Sequence, residues 1–385
     1  MKLGGFALFL AIFLSLYGGM HYYIYKKLAP LIPSAQVYIA WTFVLLVVSP
    51  VIIQLLVKLH WISLAQIAAL IGYTWMGFAL LFFSFALIVD TVRGVLWLAS
   101  KAARLNTALL PVLAAPQITV AVLGLALAVC AYGIYAANQV HFRYVRFPTS
   151  KFSPGKPAFR IVQVTDLHLD LLTSEARIQR LVATINELDP DLIVSTGDLV
   201  DMQANHISQY ASILHKLHAR YGCYAVTGNH EAFAGINDAL AFTRDAGCTV
   251  LSDTGRQIDD LLNIVGVDDP AVIHLATQAP PPEADVLKPF DNGRVTILLK
   301  HQPVINKASI PYFDLQLSGH VHGGQIFPFG LLTRLVYRVP MGMSKVGPEA
   351  WLYVSYGSGT WGPPIRFLAP SEITVIDIVS AEPAN

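Results

Sequence analysis

The run Phe159-Arg160-Ile161-Val162-Gln163-Val164-Thr165-Asp166-Leu167-His168 decides how the rest of the chain is read. Its first six residues have the apolar, β-branched character of a buried strand. The strand stops in an Asp and a His one residue apart, which leave the sheet edge on the same side. Alone the triplet means little, because a turn aspartate capping the next helix explains it. The pattern then recurs. Leu192 to Ser195 ends in Thr196-Gly197-Asp198, where the glycine permits a tight turn or a close backbone approach. Tyr224 to Thr227 ends in Gly228-Asn229-His230-Glu231, Val295 to Lys300 runs into His301, and Leu315 to Leu317 runs into Ser318-Gly319-His320-Val321-His322. Five strand ends thus carry Asp166, His168, Asp198, Asn229, His230, His301, His320 and His322 to one rim.

Carboxylates, imidazoles and a carboxamide without thiolates are ligands suited to Mn, Fe or Zn, whereas a closed structural zinc site normally recruits cysteines. One ion would use about four to six of these groups. The surplus points to two ions sharing a bridging carboxylate, the arrangement that hydrolyses phosphate esters. The bland alternative is a set of unrelated polar turns, which each motif taken singly would allow.

Around these motifs, Ser174 to Leu188 reads as a helix with Ile178, Leu181, Val182, Ile185 and Leu188 on one face, ended by Asp189-Pro190. Val250 to Leu251, Ile264 to Val267, Leu352 to Tyr356 and Ile373 to Ile378 are further strand candidates. Roughly ten strands with few helices predict two layered sheets. The Pro-rich run Ala279 to Pro289 reads as a surface excursion. His141, His206, His215, His218 and His274 lie away from the strand ends and read as ordinary surface or core histidines. Asp170 and Asp201 sit near the rim, where an acid either orients a ligand or is simply exposed. Trp361, Arg334, Arg338 and Arg366 read as aromatic packing and solvated arginines, with a phosphate or acyl-chain groove as the alternative. Cys223 and Cys248 each open a strand, and two free buried thiols are the default expectation, with a disulfide if the domain faces an oxidising compartment.

Upstream the composition changes. The chain has 385 residues with 26 basic, 25 acidic and 54% hydrophobic residues and three cysteines. Met1 to Gln139 holds only seven Lys or Arg and a single acid, Asp90. That excludes a wholly soluble enzyme, a disordered chain and a disulfide framework. A net charge of +1 supplies no electrostatic reason to expect nucleic acid. Leu3 to Tyr25, Val37 to Val57, Ile62 to Val89 and Ile118 to Ala137 are four runs long enough to cross a bilayer as helices. A cleaved signal peptide fits the first poorly, since three more runs follow and no small-residue cleavage site stands out. Asp90 to Pro111 reads either as a helix along the interface or as a connecting helix. Lys26, Lys27, Arg93, Lys101 and Arg104 in the first and third loops outnumber Lys2 and Lys58 in the short loops of the opposite side. This predicts a domain outside the cytoplasm, although Arg143, Arg146 and Lys151 begin the domain itself. The expected organisation is a transmembrane region over 1–140, a linker over 141–158 and a catalytic domain over 159–385.

In order, DLH, GDLVD, GNHE, a lone His and GHVH resemble the calcineurin-like metallophosphoesterase superfamily, across about Phe159 to Ile378. Gly323-Gly324-Gln325, Gly357-Ser358-Gly359 and Pro364-Ile365-Arg366-Phe367 further resemble its membrane-anchored bacterial branch, which includes general phosphodiesterases and a UDP-diacylglucosamine hydrolase. The resemblance implies an α/β fold, a four-layer α/β/β/α sandwich behind the four transmembrane helices. It implies two divalent cations, Mn2+ ahead of Zn2+ or Fe. Asp166, His168, Asp198 and His322 would hold the first, while Asp198 would bridge to a second held by Asn229, His301 and His320. His230 would be general acid or charge stabiliser, not a ligand. Glu231 stands where many relatives have Asp, and the family tolerates either. The implied reaction is attack on a phosphodiester or pyrophosphate by a hydroxide between the ions, at a bacterial inner or plasma membrane. The substrate would be lipid-linked or soluble, with no nucleic acid partner. A metal-stabilised interaction or sensor module without catalysis is the competing reading.

Overall fold

The computed structural model of the protein describes residues 3–103, 109–152, 157–201, 207–276 and 278–381; Lys2, Arg104 and His206 lie outside them. The chain forms two compact units.

The first unit is helical. It comprises α1 (Leu3–Leu28), α2 (Gln36–Lys58), α3 (Ile62–Ala103), α4 (Leu109–Ala114) and α5 (Pro116–Ala137), joined by the short segments Ile326–Pro328 and Gly362–Phe367. Among the described residues, Pro33–Lys58, Ile62–Ala103 and Pro116–Ala137 are long and apolar enough to cross a membrane. These account for three of the four expected crossings, and the fourth falls in α1, a 26-residue helix. Residues 104–108 of the expected Asp90 to Pro111 segment lie outside the described residues, and Asp90 to Ala103 is not a separate helix of either expected kind, because α3 continues unbroken from Ile62 to Ala103. No proline interrupts it there, and helical spacing alone cannot distinguish a new helix from the extension of an old one. Asp90 is held by Lys27 Nζ at 2.7 Å and Tyr23 OH at 2.6 Å, both from α1. Ile24, Phe43, Phe78, Leu81, Phe82, Ala126 and Cys130 form the core of this unit, with Ile326 and Ile365 buried among them. Gly133 makes room for Ile365: a Cβ there would lie 2.5 Å from the isoleucine side chain, and its carbonyl accepts from Arg366 N at 3.0 Å. Arg366 is 1% exposed, so the expectation of a solvated arginine fails there.

The second unit holds two six-stranded sheets. The first has the order β1 (Val140–Thr149), β12 (Ser371–Ser380), β2 (Phe159–Val164), β3 (Leu192–Ser195), β4 (Cys223–Ala225), β5 (Cys248–Val250). The second has β10 (Gly342–Lys345), β11 (Trp351–Val354), β9 (Leu315–Ser318), β8 (Val295–Leu299), β7 (Leu262–Gly266), β6 (Thr254–Ile258). Strand parity explains the layering. On β2, Phe159 and Ile161 face the core shared by the two sheets, while Val162 and Val164 face α6 (Glu175–Glu187), α7 (Ser208–Leu214) and α9 (Ile236–Asp245). Between α7 and α9, α8 (Asn229–Ala234) starts at the end of β4. On β8, Val295, Ile297 and Leu299 enter the shared core and Leu298 the outer one. With both faces covered, these strands read as mostly apolar runs, interrupted by Arg160, Gln163 and Thr296.

Three expectations change here. Residues 141–158 are not simply a linker, since β1 pairs in parallel with β12 from Val140↔Ser371 to Thr149↔Ser380. Nor is the Pro-rich run all surface. After the single turn α10 (Pro270–Ile273), it contains α11 (Glu283–Leu287), whose Val286 and Leu287 are buried against the second sheet. The expected free thiols are also corrected: Cys223 and Cys248 stand opposite each other on β4 and β5 and form a disulfide.

Candidate metal centre

Strands β2, β3 and β4 run parallel in one sheet, and β7, β8 and β9 in the other. Their carboxyl ends therefore deliver loops to one edge, where parallel sheets commonly build sites. The loops are cross-linked: Asp166 N donates to Gly197 O, His168 N to Asp198 O and Gly319 N to His301 O, at 2.9 to 3.0 Å. Beneath them the buried Gln163 Nε2 donates to Thr196 Oγ1 at 2.9 Å and to Ser318 O at 3.2 Å, joining one sheet to the other.

Asp166, His168, Asp198, His320 and His322 all have positive φ, between 47° and 71°. For residues with a Cβ that conformation costs about 1 kcal/mol or more each and clusters where function maintains it. Gly319 has a different reason, since a Cβ there would collide with Asp166 Oδ2 and Thr165 Oγ1.

The side chains converge in two groups that meet at Asp198. In the first, His168 Nε2 lies 2.9 Å from His322 Nε2 and 3.7 Å from Asp198 Oδ2, and His322 Nε2 is 3.3 Å from Asp166 Oδ1. In the second, His301 Nε2 lies 3.1 Å from Asp198 Oδ2, 3.2 Å from Asn229 Oδ1 and 3.1 Å from His320 Nδ1. His301 Nδ1 sits 2.8 Å from Thr196 O. The carbonyl can only accept, so Nδ1 carries the proton and a neutral His301 turns a bare Nε2 lone pair inward. In that state the lone pairs of His301 Nε2, Asp198 Oδ2 and Asn229 Oδ1 face one another. Such a cluster needs protons or cations at its centre, and the mixture of carboxylate, imidazole and carboxamide fits divalent cations.

The electrostatics agree. Burial raises the affinity of Asp166 and Asp198 for protons, yet the facing imidazoles, His322 for Asp166 and His301 for Asp198, outweigh it and hold both carboxyls well below the usual range. Burial pushes His301 down, but the Asp198 charge and contact win and raise it to about 10; His168, held by Asp201 and Asp198 against the same burial, rises to about 9. His320 goes the other way, to about 4, through burial and the His301 charge.

His230 lies at the rim of this cluster. Its amide donates to Asp198 Oδ1 at 2.8 Å, and its Nδ1 makes a short contact with Asp201 Oδ1. His168, Asp198 and His230 also offer donor atoms close enough to hold an ion together. Phe233 and Trp361 flank the His230 ring edge-on at 5.5 and 5.7 Å. Asp201 therefore contacts His230 and lies 3.8 Å from His168 Nδ1. Glu231 does more than its place after the histidine signalled: its carboxylate accepts from Gly228 N and Leu199 N at 2.7 Å and from Asp198 N at 3.0 Å. It thereby ties the Asp198 loop to the start of α8. Tyr337, absent from the sequence reading, places its hydroxyl 2.5 Å from His320 Nε2. His141, His215, His218 and His274 are exposed and outside the cluster.

Comparison with known proteins agrees with the geometry. The calcineurin-like phosphoesterase family model matches residues 159–324. An uncharacterized metallophosphoesterase of Aquifex aeolicus is 36% identical over 250 residues, 64% of this chain and 95% of that protein. A transmembrane protein with metallophosphoesterase domain from Danio rerio is 31% identical over 337 residues, 84% of this chain and 75% of that one. A Campylobacter jejuni metallophosphoesterase is 36% identical over 228 residues, 58% of this chain and 60% of its own length. With a cluster of carboxylate, imidazole and carboxamide groups at the carboxyl edge of two sheets and the Aquifex relative matched over 95% of its length, this chain belongs to the calcineurin-like metallophosphoesterases, a family of phosphoric ester hydrolases, and carries membrane-spanning helices ahead of that domain.

Proposed function

We propose that the protein is a dinuclear metal phosphodiesterase or pyrophosphatase working at the surface of the membrane it spans. Asp166, His168, Asp198 and His322 would hold one cation, and Asp198, Asn229, His301 and His320 the other, with Mn2+ the preferred metal. The observation that carries this reading is the second group: His301 Nε2 faces a carboxylate oxygen, a carboxamide oxygen and an imidazole nitrogen within 3.2 Å with its own proton committed to Thr196. Bound cations would activate water and neutralise phosphoryl oxygens.

The remaining roles belong to the chain. Asp201 accepts from His230 Nδ1–H, which fixes the ring and leaves Nε2 to hold a proton beside the departing oxygen. Glu231 holds the Asp198 loop in register by accepting from the Asp198 and Leu199 amides while it also accepts from Gly228 N at the start of its own turn. Phe233 and Trp361 border the entrance, where an apolar leaving group would sit against them. The Cys223–Cys248 disulfide and the basic short loops support a domain outside the cytoplasm, in a bacterial inner or plasma membrane.

The test is metal analysis of the purified full chain, with hydrolysis of a soluble aryl phosphodiester and a lipid pyrophosphate measured before chelation, after it, and after adding Mn2+ or Zn2+. Two equivalents of metal and activity restored by Mn2+ are expected. Two bound metals with no phosphoester turned over would favour a non-catalytic module instead.

A further inference from the structure

Helix α12 (Phe329–Tyr337) is amphipathic the wrong way round for a water-soluble domain. A surface helix ordinarily turns its apolar stripe to the core. Here Phe329, Leu331, Leu332, Leu335 and Val336 are all exposed, Leu335 and Val336 above 70%, and no residue of the helix is buried. The face toward the protein carries Gly330, Thr333 and Tyr337, which line a cleft with Val321 and Tyr356.

Two independent features say what covers the exposed face. From Gly323 to Pro348 the only charged residues are Arg334, Arg338 and Lys345, so apolar and basic groups are combined without an acid, the chemistry that meets an anionic lipid surface. The chain also enters α12 straight from Ile326–Pro328, a segment of the helical unit whose Ile326 is buried with residues of the spanning helices. The first residue of α12 follows Pro328 directly.

We propose that α12 lies on the anionic lipid surface of the bilayer that the chain itself spans, with Leu332, Leu335 and Val336 in the acyl boundary, and that it thereby favours phosphoesters carried by lipids over soluble ones. The helix ends at Tyr337, whose hydroxyl meets His320 Nε2 at 2.5 Å, so the seated helix and the metal centre share a hydrogen bond. The substrate consequence rests on the function proposed above; the seating of the helix does not.

The experiment places an environment-sensitive fluorophore on Leu335→Cys in the full chain with Cys130→Ala, reconstituted in vesicles of phosphatidylcholine and phosphatidylglycerol. The same label on Ala183→Cys, an exposed position of α6, serves as the reference. The Leu335 probe is expected to be quenched by nitroxide lipids and protected from aqueous iodide, and the Ala183 probe the reverse. Equal quenching of both by iodide overturns the proposal. So does protection from both quenchers that fades on dilution of the protein in lipid, which would mean a second copy covers the face. In an activity arm, Leu335→Glu should slow hydrolysis of a vesicle-borne phosphoester about tenfold while a soluble aryl phosphodiester stays within about twofold. An equal loss on both substrates counts against it. If the wild type hydrolyses neither substrate, the proposed function falls and the depth of the probe still decides the place of α12.

Discussion

The two halves of the metal centre differ in charge and in shielding, and the difference teaches what each is built to do. The half around Asp166, His168 and His322 has a carboxylate of its own besides the shared Asp198, and all four side chains are buried. The half around Asn229, His301 and His320 has a neutral carboxamide in place of that carboxylate, and Asn229 and His320 are part-exposed. A cation in the first half would meet two negative charges in a low dielectric; one in the second would meet a single shared charge nearer to water. In the proposed two-ion site the first would retain its ion, and the second would be open enough to exchange it and to admit a phosphoryl oxygen.

Asp198 is where this comparison can be broken outright. Since it belongs to both halves, Asp198→Asn should empty both and lower turnover by about 10³-fold or more; metal analysis returning two equivalents from that variant would deny the shared role. Separate changes should then split the halves. Asn229→Ala is expected to lose one equivalent of metal and about 10²-fold in turnover, whereas Asp166→Ala should lose the tighter ion. Stepwise dialysis against a weak chelator reads the order, and the wild type should release the second-half ion first.

Asp201→Asn tests the rim without touching either metal. It removes the charge that holds His230 and that lies 3.8 Å from His168 Nδ1. A loss of about 10- to 100-fold in turnover with two metals still bound is expected, together with an altered pH profile that a purely structural defect would not produce. Smallest is Gln163→Leu. It strips Thr196 and Ser318 of a buried donor and should lower stability by about 1–3 kcal/mol in denaturant titration. Because Thr196 carries the carbonyl that orients His301, and Ser318 starts the turn to His320, its metal defect should appear in the second half before the first.

Much of this was legible in the chain. Runs such as Leu192 to Ser195 and Val295 to Leu299 are apolar but for Ser195 and Thr296 because both of their faces are covered, and their ends stand out because charged and imidazole side chains begin there. The edge strands were harder. β6 and β10 mix glycine and polar residues, having an unpaired side to satisfy, and β1 alternates Arg and His with aromatics in a way that also fits a linker. Glu231 illustrates the same limit in the site, since its spacing marked it as a neighbour of ligands while the Asp198 and Leu199 amides it accepts from lie on another loop.

What the amino-acid order determined alone was therefore local: which stretches suit lipid, which suit a buried strand, and which donor atoms stand at each strand end. Those properties depend on side-chain type and a period of two or 3.6 residues. What tertiary structure decided was every relation across distance. β1 finds β12 more than two hundred residues later, Cys223 meets Cys248 across neighbouring strands, and Arg366 is buried with its amide on the Gly133 carbonyl of α5. Tyr337 reaches His320 while the rest of its helix turns an apolar face outward. Contacts of that kind are set by which surfaces exclude water together, and no short window of sequence contains both partners.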